Sequence, residues 1–278
     1  MEVKRARCAG ACYGVQRALD MAAEAVDRFD SVCSLGPLIH NPVVVGELER
    51  KGLQVIDSLD GQAPEAVIIR SHGVTPQVKR QVEATGAQVI DATCPHVARA
   101  QRGAAELGTQ GCCVLVIGEA GHPEVEGLVA YAQETNAKVV VVSTPDQIPA
   151  DLYEPVGVVV QTTQKREAMQ AVLDELESRG INAQVKKTIC AATTQRQNAA
   201  AALAGEVDAM VVIGGRNSSN TTRLASICKD LCLRTFHIER ATELDRPWFD
   251  GCQTVGVTAG ASTPDAQIDE VVSLLEEF

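Results

Sequence analysis

The chain has 278 residues, 45% hydrophobic and 22% charged, which is an ordinary globular composition for one large domain or two to three small ones. Its formal net charge of −11 argues against nucleic acid or an anionic membrane as the main partner, because both need a basic footprint. No apolar run reaches the ~20 residues of a membrane span, and the basic start at Met1 runs into Cys8 without a long apolar stretch, so neither a signal peptide nor a location outside the cytoplasm is expected.

Taken in order, the chain alternates helical patterns with short β-branched runs. Helices are expected over 14–28 and 43–51, then a strand at 67–69, a helix over 76–85, a strand at 89–90 and a helix over 97–108. A strand at 114–117 and a helix over 124–134 follow, then strands at Val139–Val142 and Val156–Val160 and a helix over 165–179. The last part reads helix 193–204, strand 210–213, helix 220–231, strand 254–257 and helix 264–277. Continuous apolar runs suit parallel strands buried on both faces, and the alternation with helices argues α/β layers. Aromatics are only 3%, so the core must be built from Val, Ile, Leu, Ala and Cys.

The breaks after the strands carry small residues, hydroxyls, amides and two histidines. They read Ser71-His72-Gly73, Gly121-His122-Pro123, Gln161-Thr162-Thr163, Asn217-Ser218-Ser219-Asn220 and Ala259-Gly260-Ala261-Ser262. Ligands of open parallel sheets bind beyond the carboxyl ends of the strands, so these loops point to a polar-ligand site.

Ten cysteines are present. A cytoplasmic compartment disfavours disulfides, which leaves packing or metal. Cys112 and Cys113 open a strand, Cys228 and Cys232 share a helix face, and Cys33 and Cys252 adjoin strand-like runs, so packing suits all six. Cys8 has no third cysteine nearby to complete a cluster motif. Cys12, Cys94 and Cys190 differ: each stands at a turn that opens a helix, where free N–H groups and the helix dipole favour a thiolate. They are spaced 82 and 96 residues apart (94−12 and 190−94), which suggests three similar lobes, expected at 1–95, 96–190 and 191–278. The residues alone leave two metal readings open, a shared cluster or a mononuclear metal on Cys with His, or on His122 with Glu124. A sensor protein that only reports on its cluster is a third reading. No Gly-x-Gly-x-x-Gly stands between a strand and a helix, which disfavours a nicotinamide enzyme.

In order and spacing the motifs resemble the 4-hydroxy-3-methylbut-2-enyl diphosphate reductase (LytB/IspH) family over nearly the whole chain. They are Gly10-Ala11-Cys12-Tyr13-Gly14-Val15, Ile39-His40-Asn41, Ser71-His72-Gly73-Val74, Asp91-Ala92-Thr93-Cys94-Pro95, Gly121-His122-Pro123-Glu124, Gln161-Thr162-Thr163, Ile189-Cys190-Ala191-Ala192-Thr193-Thr194, Asn217-Ser218-Ser219-Asn220 and Val257-Thr258-Ala259-Gly260-Ala261-Ser262. One departure is Ala11, where the family often has a bulky aromatic.

The resemblance implies three α/β lobes with mostly parallel sheets, arranged pseudo-threefold around a central cleft. There Cys12, Cys94 and Cys190 hold a [4Fe–4S] cluster whose apical iron has no protein ligand. It implies a two-electron, two-proton removal of hydroxyl from an allylic diphosphate, giving isopentenyl and dimethylallyl diphosphate. Glu124 is the implied proton donor, with Thr162 in its hydrogen-bond network, and nearby like charge would favour its protonated form. His40, His72, His122, Thr162, Ser218, Ser219, Asn220 and Ser262 are the implied substrate contacts. A ferredoxin or flavodoxin is the implied electron donor. Both are acidic, so docking on this acidic chain would need a basic patch, expected around Lys4, Arg5, Arg7 and Arg17.

Overall fold

The computed structural model describes residues 1–278. Each of the seven expected apolar runs becomes a strand, all nine expected helices form, and five further strands join them. The twelve strands make three sheets of four, and every pairing is parallel. No helix is long and apolar enough to cross a membrane.

Two compact units divide the chain. A middle unit, Arg17–Leu38 and Gly52–Cys190, holds two of the sheets. The first sheet has the order β3-β2-β4-β5, from β2 (Val32–Leu35), β3 (Leu53–Ile56), β4 (Ala66–Ile69) and β5 (Gln88–Asp91). The second has the order β7-β6-β8-β9, from β6 (Cys113–Ile117), β7 (Val139–Val142), β8 (Val156–Val160) and β9 (Gln184–Lys186). A terminal unit, Met1–Gln16, Ile39–Lys51 and Ala191–Phe278, holds the third sheet. Its order is β1-β12-β10-β11, from β1 (Glu2–Arg5), β10 (Ala209–Ile213), β11 (Thr235–Ile238) and β12 (Thr254–Ala259).

Numbered within themselves, the first two sheets both read 2-1-3-4. The third reads the same when counting starts at β10: second β11, first β10, third β12, fourth β1. The expected threefold repetition is thus present as strand order. Counted by strands, however, residues 2–5 complete the third sheet and not the first, in contrast to a lobe running from 1 to 95. The four residues of β1 lie at a sheet edge and include one strongly apolar side chain, Val3, so nothing in their composition names the sheet they join.

The apolar runs are continuous because both faces of each central strand are covered. In β10, Ala209, Val211 and Ile213 enter one core with Ile268, Val271 and Leu275, while Met210 and Val212 enter another with Ala200, Leu203 and Leu224. In β6, Val114 and Val116 face one side, and Leu115 and Ile117 the other. This is the period of two of a pleated strand. Each such side chain, fully buried, contributes roughly 1.5–3 kcal/mol.

The remaining elements are α1 (Tyr13–Arg28), α2 (Pro42–Arg50), α3 (Pro76–Ala84), α4 (Pro95–Thr109), α5 (Pro123–Gln133), α6 (Arg166–Ser178), α7 (Ala191–Ala204), α8 (Ser219–Leu231) and α9 (Asp265–Glu276). Four of them, α2 to α5, begin with Pro, which lacks the N–H that a first helical turn would leave unpaired. The residues just before these starts are Asn41, Thr75, Cys94 and His122. Local helix-start chemistry therefore fixes the position of three residues named above in the sequence motifs: Asn41, Cys94 and His122.

Candidate active site

The common strand order distributes the chemistry. In a 2-1-3-4 sheet the crevice opens beyond the carboxyl ends of strands 1 and 3. The exits of the first strands β2, β6 and β10 lead to His40, to His122 and Glu124, and to Ser218, Ser219 and Asn220. Those of the third strands β4, β8 and β12 lead to His72, Thr162 and Ser262. The exits of the fourth strands β5, β9 and β1 lead to Cys94, Cys190 and Cys12. All the expected site residues thus occupy equivalent exits.

In the middle unit, Glu124 is the most deeply buried of the expected site residues, at 1% exposure. It is the second residue of α5, where the helix dipole favours a carboxylate. Thr162 clamps it: the Thr162 N–H donates to Oε1 at 2.6 Å and the Thr162 hydroxyl donates to Oε2 at 2.9 Å. The Thr162 carbonyl accepts the N–H of Cys190 at 2.9 Å. One residue therefore joins the buried acid to a cysteine. His122 caps the same helix, its Nδ1 accepting the Glu124 N–H at 3.1 Å. The His122 ring meets that of His72 edge-on, with centroids 5.8 Å apart. Cys94 is placed by its own N–H, which donates to the Ser71 carbonyl at 2.9 Å, so His72 and Cys94 share a support. Gln161 positions the β6 exit, its Oε1 accepting the Glu119 N–H at 3.0 Å. Gly118 is required there, because a Cβ would stand 2.6 Å from Val125 Cγ2 and 3.0 Å from Gln161 Oε1.

In the terminal unit, the Cys12 N–H donates to the Ala261 carbonyl at 3.0 Å, tying the first cysteine to the β12 exit. The Ser262 hydroxyl donates to the His40 carbonyl at 3.1 Å. Asn41, at 1% exposure, organises both segments. Its Oδ1 accepts the N–H groups of Val43 and Val44, capping α2, and its Nδ2 donates to Ser262 O at 2.8 Å and Gln267 Oε1 at 3.0 Å. Ser218 caps α8. Asn220, the second residue of α8, is 4% exposed, and neither Nδ2 nor Oδ1 has a hydrogen-bond partner. A buried amide with both ends unmet is costly, and it offers a polar ligand a donor and an acceptor.

Burial bears out packing for five of the six cysteines expected to pack, and the sixth, Cys252, is partly buried against the core of the terminal unit. Cys33, Cys112, Cys113, Cys228 and Cys232 are buried, Cys8, Cys12, Cys94, Cys190 and Cys252 are half-buried, and of these five Cys12, Cys94 and Cys190 each stand immediately before a helix. Burial pushes the Cys33 and Cys113 thiols up, and burial with the neighbouring Cys232 pushes Cys228 up to about 12, so those three are inert as ligands. No three His, Cys, Asp or Glu side chains are gathered as a single-ion site. A His122–Glu124 metal pair is also disfavoured, since His122 Nδ1 is used in the cap and both Glu124 oxygens are held by Thr162. Each of Cys12, Cys94 and Cys190 stands half-buried at a helix start, a setting in which a thiolate could take one iron of a cluster.

Of the four cations expected to form a docking patch, Arg7 is exposed and makes no ion pair, and the other three are engaged. Arg5 is paired with Asp265 and Asp269, and Lys4 with Glu2, while Arg17 donates to the carbonyls of Asp91 and Thr93. The first seven residues display cations, but Asp265 and Asp269 arrive from the far end of the chain. Asn41 and Gln161 stood inside quoted motifs, yet their positioning roles were missed. The signal available was a buried-type amide directly beside a His or Thr of the site.

The family model described as LytB protein matches residues 3–276. The chain is 48% identical over 283 residues to a 4-hydroxy-3-methylbut-2-enyl diphosphate reductase of Geobacter sulfurreducens, covering 100% of this chain and 98% of that protein. It is 47% identical over 278 residues to the protein of the same description in Trichlorobacter lovleyi, with the same coverage. A solved (E)-4-hydroxy-3-methyl-but-2-enyl diphosphate reductase, described as the terminal enzyme of the non-mevalonate pathway, aligns over 100% of both chains at 41% identity and a TM-score of 0.72. A reductase structure from Plasmodium falciparum shares the fold, with a TM-score of 0.90 at 24% identity over 99% of this chain and 87% of its own.

Proposed function

The chain belongs to the LytB family, and from that premise we propose that it is a 4-hydroxy-3-methylbut-2-enyl diphosphate reductase. It removes the hydroxyl group of this allylic diphosphate with two electrons and two protons, yielding isopentenyl and dimethylallyl diphosphate. Cys12, Cys94 and Cys190 would hold a [4Fe–4S] cluster. When bound, the cluster supplies single electrons and an iron with an open coordination position. The electrons come from an external one-electron carrier of the ferredoxin or flavodoxin class.

The observation that carries the reading is the Glu124–Thr162 pair, a buried acid held by one residue whose carbonyl also holds Cys190. Hydroxide is a poor leaving group, so a proton must reach it. Thr162 Oγ1 and Glu124 Oε2 are 2.9 Å apart, so that when Glu124 is protonated its carboxyl can donate to Oγ1 while the Thr162 hydroxyl gives its own proton to the leaving hydroxyl. Burial excludes water that would otherwise compete for that proton. His40, His72 and His122, with Ser218, Ser219, Asn220 and Ser262, bind the diphosphate through imidazole, hydroxyl, amide and helix-start N–H groups.

Anaerobic purification should give a brown protein with about four irons and four sulfides per chain. The cluster should be lost in Cys12→Ser, Cys94→Ser and Cys190→Ser, and kept in Cys112→Ser. Glu124→Gln should keep cluster and substrate binding while kcat falls roughly 10²–10⁴-fold, and Thr162→Val should keep the cluster with a comparable fall in kcat. A colourless protein with one zinc and no sulfide would overturn the assignment of the cofactor. Full turnover in Glu124→Gln would overturn the proton path.

A further inference from the structure

Arg196 is 8% exposed and lies in the second turn of α7. All its hydrogen bonds end on carbonyl oxygens: Nε and Nη2 donate to Gly10 O at 3.0 and 2.7 Å, and Nη1 donates to Ala192 O at 2.9 Å. No carboxylate pairs with it. Asp265, which also approaches the Gly10 turn, is engaged by Arg5. Elsewhere in the chain the arginines in ion pairs, Arg5, Arg80, Arg179 and Arg216, are considerably more exposed, with side chains at least 30% accessible. A buried guanidinium without a counter-ion is expensive, and carbonyl dipoles only partly offset the lost hydration.

The place where this charge is held is specific. Gly10 has a φ of +91°, and its carbonyl takes two guanidinium N–H groups at once. Cys12 follows two residues later, its own N–H fixed on Ala261 O. The first cysteine therefore sits on a turn clamped from one side by Arg196 and from the other by the β12 exit. A cluster bound through Cys12 would bring an anionic group beside this turn, which could serve as the counter-charge the buried guanidinium lacks.

We propose that Arg196 is the fixed positive charge of the cluster site: it holds the Cys12 turn and raises the reduction potential of the bound cluster. The inference rests on the cluster reading above. Its physical basis is that reduction adds negative charge, so a buried, immobile cation stabilises the reduced form more than the oxidised one. Arg196 is a positioning residue; it need not touch substrate. An arginine suits the task because its fork takes the Gly10 carbonyl with two donors and cannot be deprotonated.

The test is a dye-mediated redox titration of the anaerobically purified holoprotein, followed by visible absorption and electron paramagnetic resonance. Arg196→Gln should lower the reduced-to-oxidised ratio at fixed poise by tenfold or more, which is about 59 mV for one electron. Arg196→Lys keeps the charge without the fork, and should titrate with the wild type yet lose iron to a chelator faster. Arg179→Gln, which removes an exposed charge paired with Glu175, should change neither. An Arg196→Gln protein with a full cluster and the wild-type potential overturns the inference. If the Gln variant holds no cluster, the Lys variant decides, and a lowered potential or unchanged iron loss there overturns it. A wild type without iron and sulfide is a separate outcome, which overturns the cluster reading itself and the inference with it.

Discussion

Asn220→Leu separates binding from folding at a single residue. The native amide is 4% exposed, with a donor and an acceptor that meet no protein group. Leaving one buried polar group unmet costs about 1–3 kcal/mol, whereas an apolar group of the same shape carries no such cost. Leu is nearly isosteric with Asn and a better helix former. The ligand-free variant should therefore be more stable by about 1 kcal/mol, which for a chain of this size raises the midpoint by roughly 2 °C or more. Affinity should move the other way. A hydrogen bond to a charged group contributes about 1.5–3 kcal/mol, so its loss weakens substrate binding by roughly 10- to 150-fold. Thermal unfolding of the free protein and KM for the diphosphate, with a small chemical reductant as electron source, measure the two halves. A variant that unfolds several degrees earlier and keeps the wild-type KM would show that the amide is structural, and would remove Asn220 from the site.

Three further outcomes follow from named contacts. Asn41→Ala removes the α2 cap and two buried donor bonds to Ser262 and Gln267, and should cost about 2–4 kcal/mol in urea unfolding, with a raised KM because the Ser262 segment loses its tether. Gly118→Ala places a methyl 2.6 Å from Val125 Cγ2, which should cost about 1–3 kcal/mol and lower kcat, since Val125 and Gln161 flank Glu124 and Thr162. Cys228, fully buried and pushed up to about 12 by burial and by Cys232, should resist alkylation in the folded protein at pH 8 and react readily once the protein is unfolded. Removal of the cluster with a chelator should leave Cys228 protected while Cys12, Cys94 and Cys190 become reactive, as peptide mass spectrometry would report.

What could be read from the sequence follows the depth of burial. Central strands β6, β8, β10 and β12 are covered on both faces and announce themselves as apolar runs. Of the five strands that went unrecognised, β1, β3, β9 and β11 are sheet edges with only partial burial. The fifth, β2, is central but only four residues long, with Cys33 and Ser34 in its middle. The helices were legible because Pro and capping residues mark their starts. The site was legible as a set of motifs, but not as a set of bonds. Glu124 and Thr162 are 38 residues apart, and Asn41 and Ser262 are 221 apart, so their pairing is a product of the fold alone. The same holds for the basic start: its cations are visible in the sequence, and the carboxylates that engage Arg5 are not.

The strand order explains why the three cysteines proposed as ligands are so widely spread along the chain. A parallel 2-1-3-4 sheet delivers all its exits to one edge, and the polar residues here occupy the exits of strands 1 and 3, beside the crevice. A fourth strand is an edge strand with a neighbour on one side only, so the loop after it is free to carry a residue out of its own sheet. In each sheet that loop carries a cysteine and then starts a helix: Cys94 before α4, Cys190 before α7, and Cys12 before α1. The third case is the instructive one, because its fourth strand comes from the chain's first residues while the other three come from beyond residue 208. Had β1 been appended after β12, the same sheet would form and its cysteine would fall near the carboxyl end. The even spacing of Cys12, Cys94 and Cys190 therefore records three copies of one sheet plan, cut open between the third strand and the fourth of the last copy.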